Sequence, residues 1–90
     1  MFDLNVTRQY LKDLKLARKR GLDEAKLDDI IKLLLQGMPL PLKNKDHNLI
    51  NDYKGCRECH ITPDWLLVYS VDKGINLITL VRTGSHSDLF

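Results

Sequence analysis

The chain has 90 residues, of which 43% are hydrophobic and 29% are charged, and its formal net charge is +2. This length predicts one domain over residues 1–90, because chains divide into domains only well above it. No apolar run approaches the roughly 18 residues of a membrane span, and residues 1–5 lack the basic and apolar regions of a secretory signal, so we expect a cytoplasmic protein with no membrane partner.

Positive charge is concentrated near the N-terminus. The basic residues of this region are Arg8, Lys12, Lys15, Arg18, Lys19, Arg20 and Lys26. Positions 8, 12, 15 and 19 recur at helical spacing and would form one basic stripe. Such a stripe is either a solvated helix face or a surface for a polyanion or an acidic protein, because clustered cations release counterions from phosphate backbones.

The N-terminal part of the chain predicts a strand followed by a helical hairpin. Residues 2–6 alternate between apolar and polar, as in a strand with one buried face. Thr7 can cap a helix that runs to about Arg20, and Asp23 can cap a second helix that ends at Gly37. The residues expected to face the core are Tyr10, Leu11, Leu14 and Ala17 in the first helix and Leu27, Ile30, Ile31 and Leu34 in the second.

Prolines at positions 39 and 41 cannot continue a helix, so the chain is expected to enter a polar loop, residues 43–52, that contains His47. Alternation then predicts a strand with Cys56, Glu58 and His60 on one face and Arg57, Cys59 and Ile61 on the other.

Three further segments complete the predicted sheet. Residues 65–71 are almost uninterrupted in apolar character, as in a central strand. Residues 72–74 predict a hairpin turn, residues 75–82 the last strand, and the remainder a short polar tail. The order predicts an α+β fold: an N-terminal strand, a two-helix hairpin, then an antiparallel meander with the helices on one face.

The segment from Cys56 to His60 spells C-x-x-C-H, the attachment signature of a c-type haem. We reject this interpretation because residues three apart on a strand point to opposite faces, so the two sulfurs could not hold one porphyrin edge. A zinc site would need more ligands, and a disulfide is disfavoured by the same geometry. We expect Cys59 to be a small core residue and Cys56 an incidental thiol.

Three histidines, one carboxylate and one arginine lie where predicted strands end and loops begin: His47, His60, Asp64, Arg82 and His86. Cleaving RNA without a metal needs a base for the ribose 2′-hydroxyl, an acid for the departing 5′-oxygen and a cation for the phosphate. Imidazole can serve as acid or base, and guanidinium binds phosphate with two parallel hydrogen bonds. Two aromatic residues, Trp65 and Phe90, could stack on splayed bases.

Each of these residues also has a purely structural interpretation. Trp65 could anchor the core. Arg82 could pair with Glu58 or Asp64 across strands. His47 could cap a turn. The collective pattern favours a site over these separate alternatives.

Several motifs follow one another in a fixed order: Lys45-Asp46-His47-x-Leu49, Lys54-Gly55-x-Arg57, His60-Ile61-x-Pro63-Asp64-Trp65-x-Leu67-x-Tyr69, Arg82-Thr83-Gly84-Ser85-His86 and Leu89-Phe90. Together they closely resemble the YafQ type of toxin in the RelE/ParE superfamily, over essentially the whole chain. The resemblance implies a RelE-like α+β fold and a bacterial type II toxin that cuts mRNA in a ribosome-dependent way, needs no metal or other cofactor, and is held inactive by a cognate antitoxin.

The resemblance places the catalytic residues at His47, His60, Asp64, Arg82 and His86, and the substrate contacts at Lys45, Trp65 and Phe90. We expect Asp64 to act as base and His86 as acid, with the other three stabilising charge. The expected partners are the antitoxin, the 70S ribosome and mRNA in its A site, with operator DNA reached only through the antitoxin.

Two other functions remain compatible with such a fold. A toxin like the ParE branch would bind DNA gyrase without cutting RNA, although it would have no use for three histidines around one groove. A catalytically inactive partner in transcriptional autoregulation is the other alternative.

Overall fold

Eight helices and strands and one 3₁₀ turn make up the computed structural model, which describes residues 1–50 and 53–90. In chain order they are β1 (Asp3–Val6), α1 (Arg8–Lys19), α2 (Glu24–Leu35), the 3₁₀ turn (Leu42–Asn44), β2 (His47–Asn48), β3 (Arg57–Thr62), β4 (Trp65–Asp72), β5 (Leu77–Gly84) and α3 (His86–Leu89).

The strands form one sheet in the order β1-β5-β4-β3-β2. Neighbours from β2 to β5 are antiparallel, whereas β1 runs parallel to β5. Strand β1 pairs with β5, the strand farthest from it along the chain, and this places the N-terminal strand at one edge. The predicted α+β fold with a mainly antiparallel sheet is confirmed.

Both predicted helix caps are present. The Thr7 side chain accepts a hydrogen bond from the backbone N–H of Tyr10, and the Asp23 side chain accepts one from that of Ala25. These bonds satisfy backbone donors that the first turn of a helix leaves without partners. Local sequence therefore sets where α1 and α2 begin.

Helices α1 and α2 cover one face of the sheet, which we call the near face. The buried residues between them and the sheet are Tyr10, Leu14, Ala17, Leu27, Ile30, Leu34, Cys59, Ile61, Trp65, Leu67, Tyr69, Ile78 and Leu80. Leu11, expected to face inward, is instead 48% exposed. Tyr10, Leu14 and Ala17 already form the inward stripe of α1, and Leu11 lies about 100° further round the helix than Tyr10.

The opposite, far face carries a smaller cluster. Leu66 and Val68 of β4 pack there against Leu89 of α3, with Tyr53 and Val81 at the margin. The chain end predicted as a polar tail is thus partly wrong, because β5 continues to Gly84 and a short helix follows. The expectation that the two-helix hairpin covers one face is confirmed, and α3, a helix that the sequence did not predict, packs on the other face.

The polar segment predicted over residues 43–52 contains more regular structure than expected. It holds the 3₁₀ turn and the two-residue strand β2, which pairs with β3. Asn51 and Asp52 lie outside the described residues. Within residues 1–50 and 53–90, no helix is both long and apolar enough to cross a bilayer.

An irregularity in β5 determines where Arg82 points. Val68 pairs with Arg82 but Tyr69 pairs with Leu80, so Val81 is one extra residue on β5. A bulge of this kind bends a strand and redirects its side chains. The redirected Arg82 guanidinium reaches Asp13 of α1.

Asp13 is the acceptor that ties α1 to β5. Its carboxylate accepts hydrogen bonds from Arg82 Nε at 2.9 Å and Nη2 at 3.1 Å, from the Thr83 backbone N–H at 3.2 Å and from Gln9 Nε2 at 3.0 Å. Burial raises the pKa of Asp13, but the hydrogen bonds from Arg82, Gln9 and Thr83 outweigh that effect and leave the pKa below its ordinary value.

Asp13→Asn should lower the free energy of unfolding at pH 7 by about 1 to 3 kcal/mol, because the partly buried Arg82 guanidinium loses its charged partner. Since the folded pKa of Asp13 is depressed, its contribution is present above the unfolded pKa of about 3.9 and is lost as pH falls through the folded pKa. Urea unfolding at pH 7 and near pH 3 should therefore show a smaller difference between variant and wild type in acid.

The exposed change Asp28→Asn alters the charge equally and serves as the control, with an expected effect within about 0.5 kcal/mol. Equal losses for both variants would show that net charge, rather than the contact with Arg82, sets the stability difference.

Candidate active site

A buried carboxylate lies between two of the candidate histidines on the far face. Glu58 of β3 is paired directly with His47 of β2, and His60 is two residues further along the same strand, so all three side chains project to one side. Glu58 Oε1 lies 3.4 Å from His47 Nε2 and 4.0 Å from His60 Nε2. Side chains from two neighbouring strands thus form one cluster.

Glu58 is only 5% exposed, and its second oxygen, Oε2, is buried without a hydrogen-bond partner among the described residues. A carboxylate removed from water is costly unless it is paired with a cation and fully hydrogen-bonded. The sequence offered Glu58 only as a possible partner of Arg82, and that pairing is wrong because Arg82 bonds to Asp13. The sequence linked Glu58 to His60 in one way only, by placing both on the same face of the predicted strand.

A backbone carbonyl orients the His47 ring. His47 Nδ1 lies 2.6 Å from the carbonyl oxygen of Lys45. A carbonyl can only accept, so Nδ1 carries the hydrogen and Nε2 is the nitrogen turned toward Glu58. Lys45 itself adopts a left-handed backbone conformation, with φ of +48°, which closes the 3₁₀ turn before β2. Its described contribution to the site is therefore its carbonyl, while the expected contact of its side chain with substrate stays a prediction.

Arg82 approaches the far face with one side of its guanidinium already occupied. Nε and Nη2 bind Asp13, and Nη1 donates to the Tyr53 hydroxyl at 3.3 Å. The hydrogen bonds to Asp13 and Tyr53 raise the pKa of Arg82, so it stays cationic. A phosphate can reach the Nη1 side of the group more readily than the edge bound to Asp13.

A row of aromatic contacts connects Arg82 with Phe90 and His86. The ring of Tyr53 meets that of Phe90 edge-on, with centroids 5.7 Å apart and planes at 87°. The Phe90 ring in turn lies 5.1 Å from the imidazole of His86. Sequence reasoning assigned Tyr53 no role, because nothing in its local pattern indicates contact with either Arg82 or Phe90.

One cavity joins the two groups of side chains. His47, Tyr53 and Phe90 all line a far-face cavity of about 250 Å³. His47, which lines the cavity, also contacts Glu58, and Phe90, which lines it as well, contacts His86. Of the three histidines, His47 lines this cavity directly, whereas His60 and His86 lie next to it through Glu58 and Phe90.

Asp64 lies in the turn where the sequence predicted it, whereas Trp65 departs from its expected role. Asp64 is exposed in the turn between β3 and β4. Trp65 is 2% exposed, and its indole nitrogen donates to Thr83 Oγ1 at 2.8 Å. The base-stacking role expected for Trp65 is wrong for this structure, because both faces of the ring are enclosed by the near-face core.

The two cysteines follow the geometric argument made from sequence. Cys59 is fully buried in the near-face core, which raises its pKa to about 12, whereas Cys56 packs against the far-face cluster. Both are free thiols. Within residues 1–50 and 53–90, no group of three or more His, Cys, Asp or Glu side chains is arranged to hold a metal ion.

A two-helix layer on one face of the sheet and a histidine cluster on the other define a RelE-like toxin architecture. A family model described as "Bacterial toxin of type II toxin-antitoxin system, YafQ" matches residues 2–90. The chain belongs to this YafQ family of type II toxins.

Individual relatives agree with this assignment. The chain is 44% identical over 90 residues to the "mRNA interferase toxin YafQ" of Escherichia coli K12, covering 98% of this chain and 95% of that protein. The crystal structure of YafQ from E. coli BL21(DE3) superposes with a TM-score of 0.92 at 40% identity, covering 100% of this chain and 99% of the other. YafQ in the E. coli DinJ-YafQ complex gives 0.91 at 41% identity, with the same coverage.

Replacing Glu58 by a neutral side chain of similar length tests whether it contributes to stability. Glu58→Met should leave the free energy of unfolding at pH 7 unchanged or raise it by about 1 kcal/mol, because the incompletely paired carboxylate is removed from the interior. Urea unfolding measures the change. A loss above about 2 kcal/mol would instead assign Glu58 a stabilising ion pair with the two imidazoles.

Proposed function

We propose that this chain is an mRNA interferase, a ribosome-dependent endoribonuclease that cuts mRNA by attack of a ribose 2′-hydroxyl on the adjacent phosphate. The observation that carries the proposal is a far-face cavity lined by His47, Tyr53 and Phe90. Each lining residue contacts a further candidate: His47 shares Glu58 with His60, Phe90 lies against His86, and the Tyr53 hydroxyl accepts a hydrogen bond from Arg82. The E. coli relative that bears the name mRNA interferase supports it.

The reaction requires two proton transfers. A base removes the proton of the 2′-hydroxyl, whose oxygen attacks phosphorus. The bond to the 5′-oxygen breaks, and an acid protonates that leaving oxygen. The products are a 2′,3′-cyclic phosphate and a 5′-hydroxyl. Each transfer contributes roughly 10²- to 10⁴-fold in rate, and no metal is needed because side chains supply every role.

The proposed roles follow the exposure of each group. Asp64, exposed in the turn between β3 and β4, acts as the base, and His86, exposed on α3, acts as the acid. The His47 and His60 imidazoles and the Arg82 guanidinium stabilise the charge that develops on the phosphoryl oxygens.

Base stacking is the proposed role of Phe90. This ring is 51% exposed and already lies beside His86, so a nucleobase placed on it brings its phosphate close to the acid. Stacking on an aromatic side chain is worth about 1 to 3 kcal/mol per base. Tyr53, in edge-on contact with Phe90, holds that ring in place and replaces Trp65 in the proposed substrate contacts.

The basic stripe on α1 is a second proposed binding surface, separate from the far-face site. Arg8, Lys12, Lys15 and Lys19 are all exposed on α1. We propose that this surface contacts ribosomal RNA of the 70S particle when mRNA occupies the A site. A cognate antitoxin with an acidic segment would compete for the same charges. The structure of the E. coli DinJ-YafQ complex supports an antitoxin partner, and contact with operator DNA would come only through it.

His86→Ala should lower the rate of mRNA cutting by about 10²- to 10⁴-fold, because the proton donor for the leaving oxygen is lost. Single-turnover cutting on programmed ribosomes, followed by primer extension, measures the rate and the cut positions. The toxin should first be stripped with a chelator that is then removed, so that the ribosomes keep their magnesium.

The neighbouring exposed change Ser87→Ala is the control and should retain the wild-type rate. Full activity of His86→Ala would remove His86 from the mechanism. Growth arrest with intact mRNA and damaged chromosomes would instead favour a toxin that acts on DNA gyrase, and would reject the proposed nuclease.

A further inference from the structure

The C-terminal end of α1 and the short helix α3 are joined by an ion pair with two hydrogen bonds. Arg20, the C-cap residue of α1, donates to Asp88 from Nη1 to Oδ2 at 2.6 Å and from Nη2 to Oδ1 at 3.2 Å. The two residues are 68 positions apart in the chain. Two parallel bonds fix the relative orientation of the groups as well as their distance.

Asp88 also holds the start of α3. Its Oδ2 accepts from the Ser85 backbone N–H at 2.8 Å, and the Ser85 hydroxyl accepts from the Asp88 backbone N–H at 3.2 Å, which completes a capping box. Asp88 lies directly over Gly84, where a Cβ atom would be only 3.0 Å from Asp88 Cβ. The Arg20 hydrogen bond, followed by those of Ser85, holds the pKa of Asp88 well below its usual range, so the pair stays ionised at neutral pH.

A helix as short as α3 needs such external contacts. Four residues cannot form a stable helix alone, because nucleation fixes several residues for each hydrogen bond gained. Leu89 supplies an apolar anchor, buried against Leu66 and Val68. Leu89 holds the helix on the sheet and Tyr53 touches its C-terminal end through Phe90, but both contacts are apolar and non-directional. The two hydrogen bonds between Arg20 and Asp88 add a directional contact from α1.

The rotation of α3 determines where the candidate catalytic group lies. His86 and Phe90 are four residues apart, which places them on one side of the helix, and their ring centroids are 5.1 Å apart. Asp88, two residues from each, lies on a different side. Arg20 thus acts on the side of α3 away from the two rings.

We propose that Arg20 and Asp88 are positioning residues that set the orientation of α3 and thereby place His86 and Phe90 against the substrate. This role rests on the proposed function, in which His86 protonates the leaving oxygen and Phe90 stacks on a base. Arg20 belongs to the basic N-terminal region of the sequence. In this role, however, its guanidinium binds Asp88 on the side of α3 opposite the two rings and does not bind RNA.

Arg20→Gln and Asp88→Asn test the role separately, since the asparagine still accepts from the Ser85 N–H and preserves the cap. Each variant should lower the single-turnover rate constant at saturating ribosomes by about 10- to 100-fold, the cost of a misplacement near 1 Å. The half-saturating ribosome concentration should not change. The double variant should be no slower than the worse single variant, because both changes break the same contact.

Arg18→Gln provides a matched control. Arg18 lies at the same end of α1 and forms a similar two-bond pair with Glu24, at 2.7 Å and 2.8 Å, which leads to α2 rather than α3. Arg18→Gln removes the same charge as Arg20→Gln. It should leave the rate constant within about twofold of wild type, as expected for a surface pair far from the reacting atoms.

A second readout uses the free protein without ribosomes. The nuclear Overhauser effect between the ring protons of His86 and Phe90, together with the line widths of both rings, should change in Arg20→Gln and Asp88→Asn but not in Arg18→Gln. If wild-type protein cuts no mRNA, the proposed function fails, and this measurement still decides whether the ion pair positions the rings.

Two outcomes would overturn the proposal. Asp88→Asn with a wild-type rate constant and unchanged ring contacts would show that Leu89 and the capping box suffice to hold α3. Arg20→Gln that changes only the half-saturating concentration would assign Arg20 to RNA binding and reject a positioning role.

Discussion

The alternation of side chains along β3 and β4 is the constraint on which both the stability and the proposed activity depend. Cys59, Leu67 and Tyr69 point to the near face and pack against α1 and α2, whereas Glu58 and His60 point to the far face. Adjacent residues of one strand therefore serve opposite purposes. A shift of register by one residue would exchange the two sets and destroy core and site together.

Asp13, which is partly buried, and Glu58, which is buried, show how differently two carboxylates can be used. Asp13 has a partner for each oxygen and joins α1 to β5, so its charge stabilises the fold. Glu58 has an oxygen without a hydrogen bond and faces two imidazoles at longer distances. An incompletely paired buried charge costs stability, and such groups are typical of functional sites. Glu58 is best understood as part of the histidine cluster.

The candidate site lies on the far face of the sheet, which only the short helix α3 covers among the helices that the structure describes. Side-chain contacts, more than helices and strands, hold its residues in place. Strand β2 has two residues and α3 has four. A backbone carbonyl orients His47, a capping box forms α3, and Tyr53 connects Arg82 with Phe90. Such contacts give each group a defined position beside the far-face cavity that His47, Tyr53 and Phe90 line.

Local pattern was sufficient for the caps at Thr7 and Asp23, the opposite directions of Cys56 and Cys59, and the burial of β4, because periodicity and capping act over a few residues. It was insufficient for the partner of Arg82, the involvement of Tyr53 and the attachment of α3. Each of these depends on contacts between residues brought together from opposite ends of the chain, as Asp13 and Arg82 are, and no short segment of sequence encodes such a meeting.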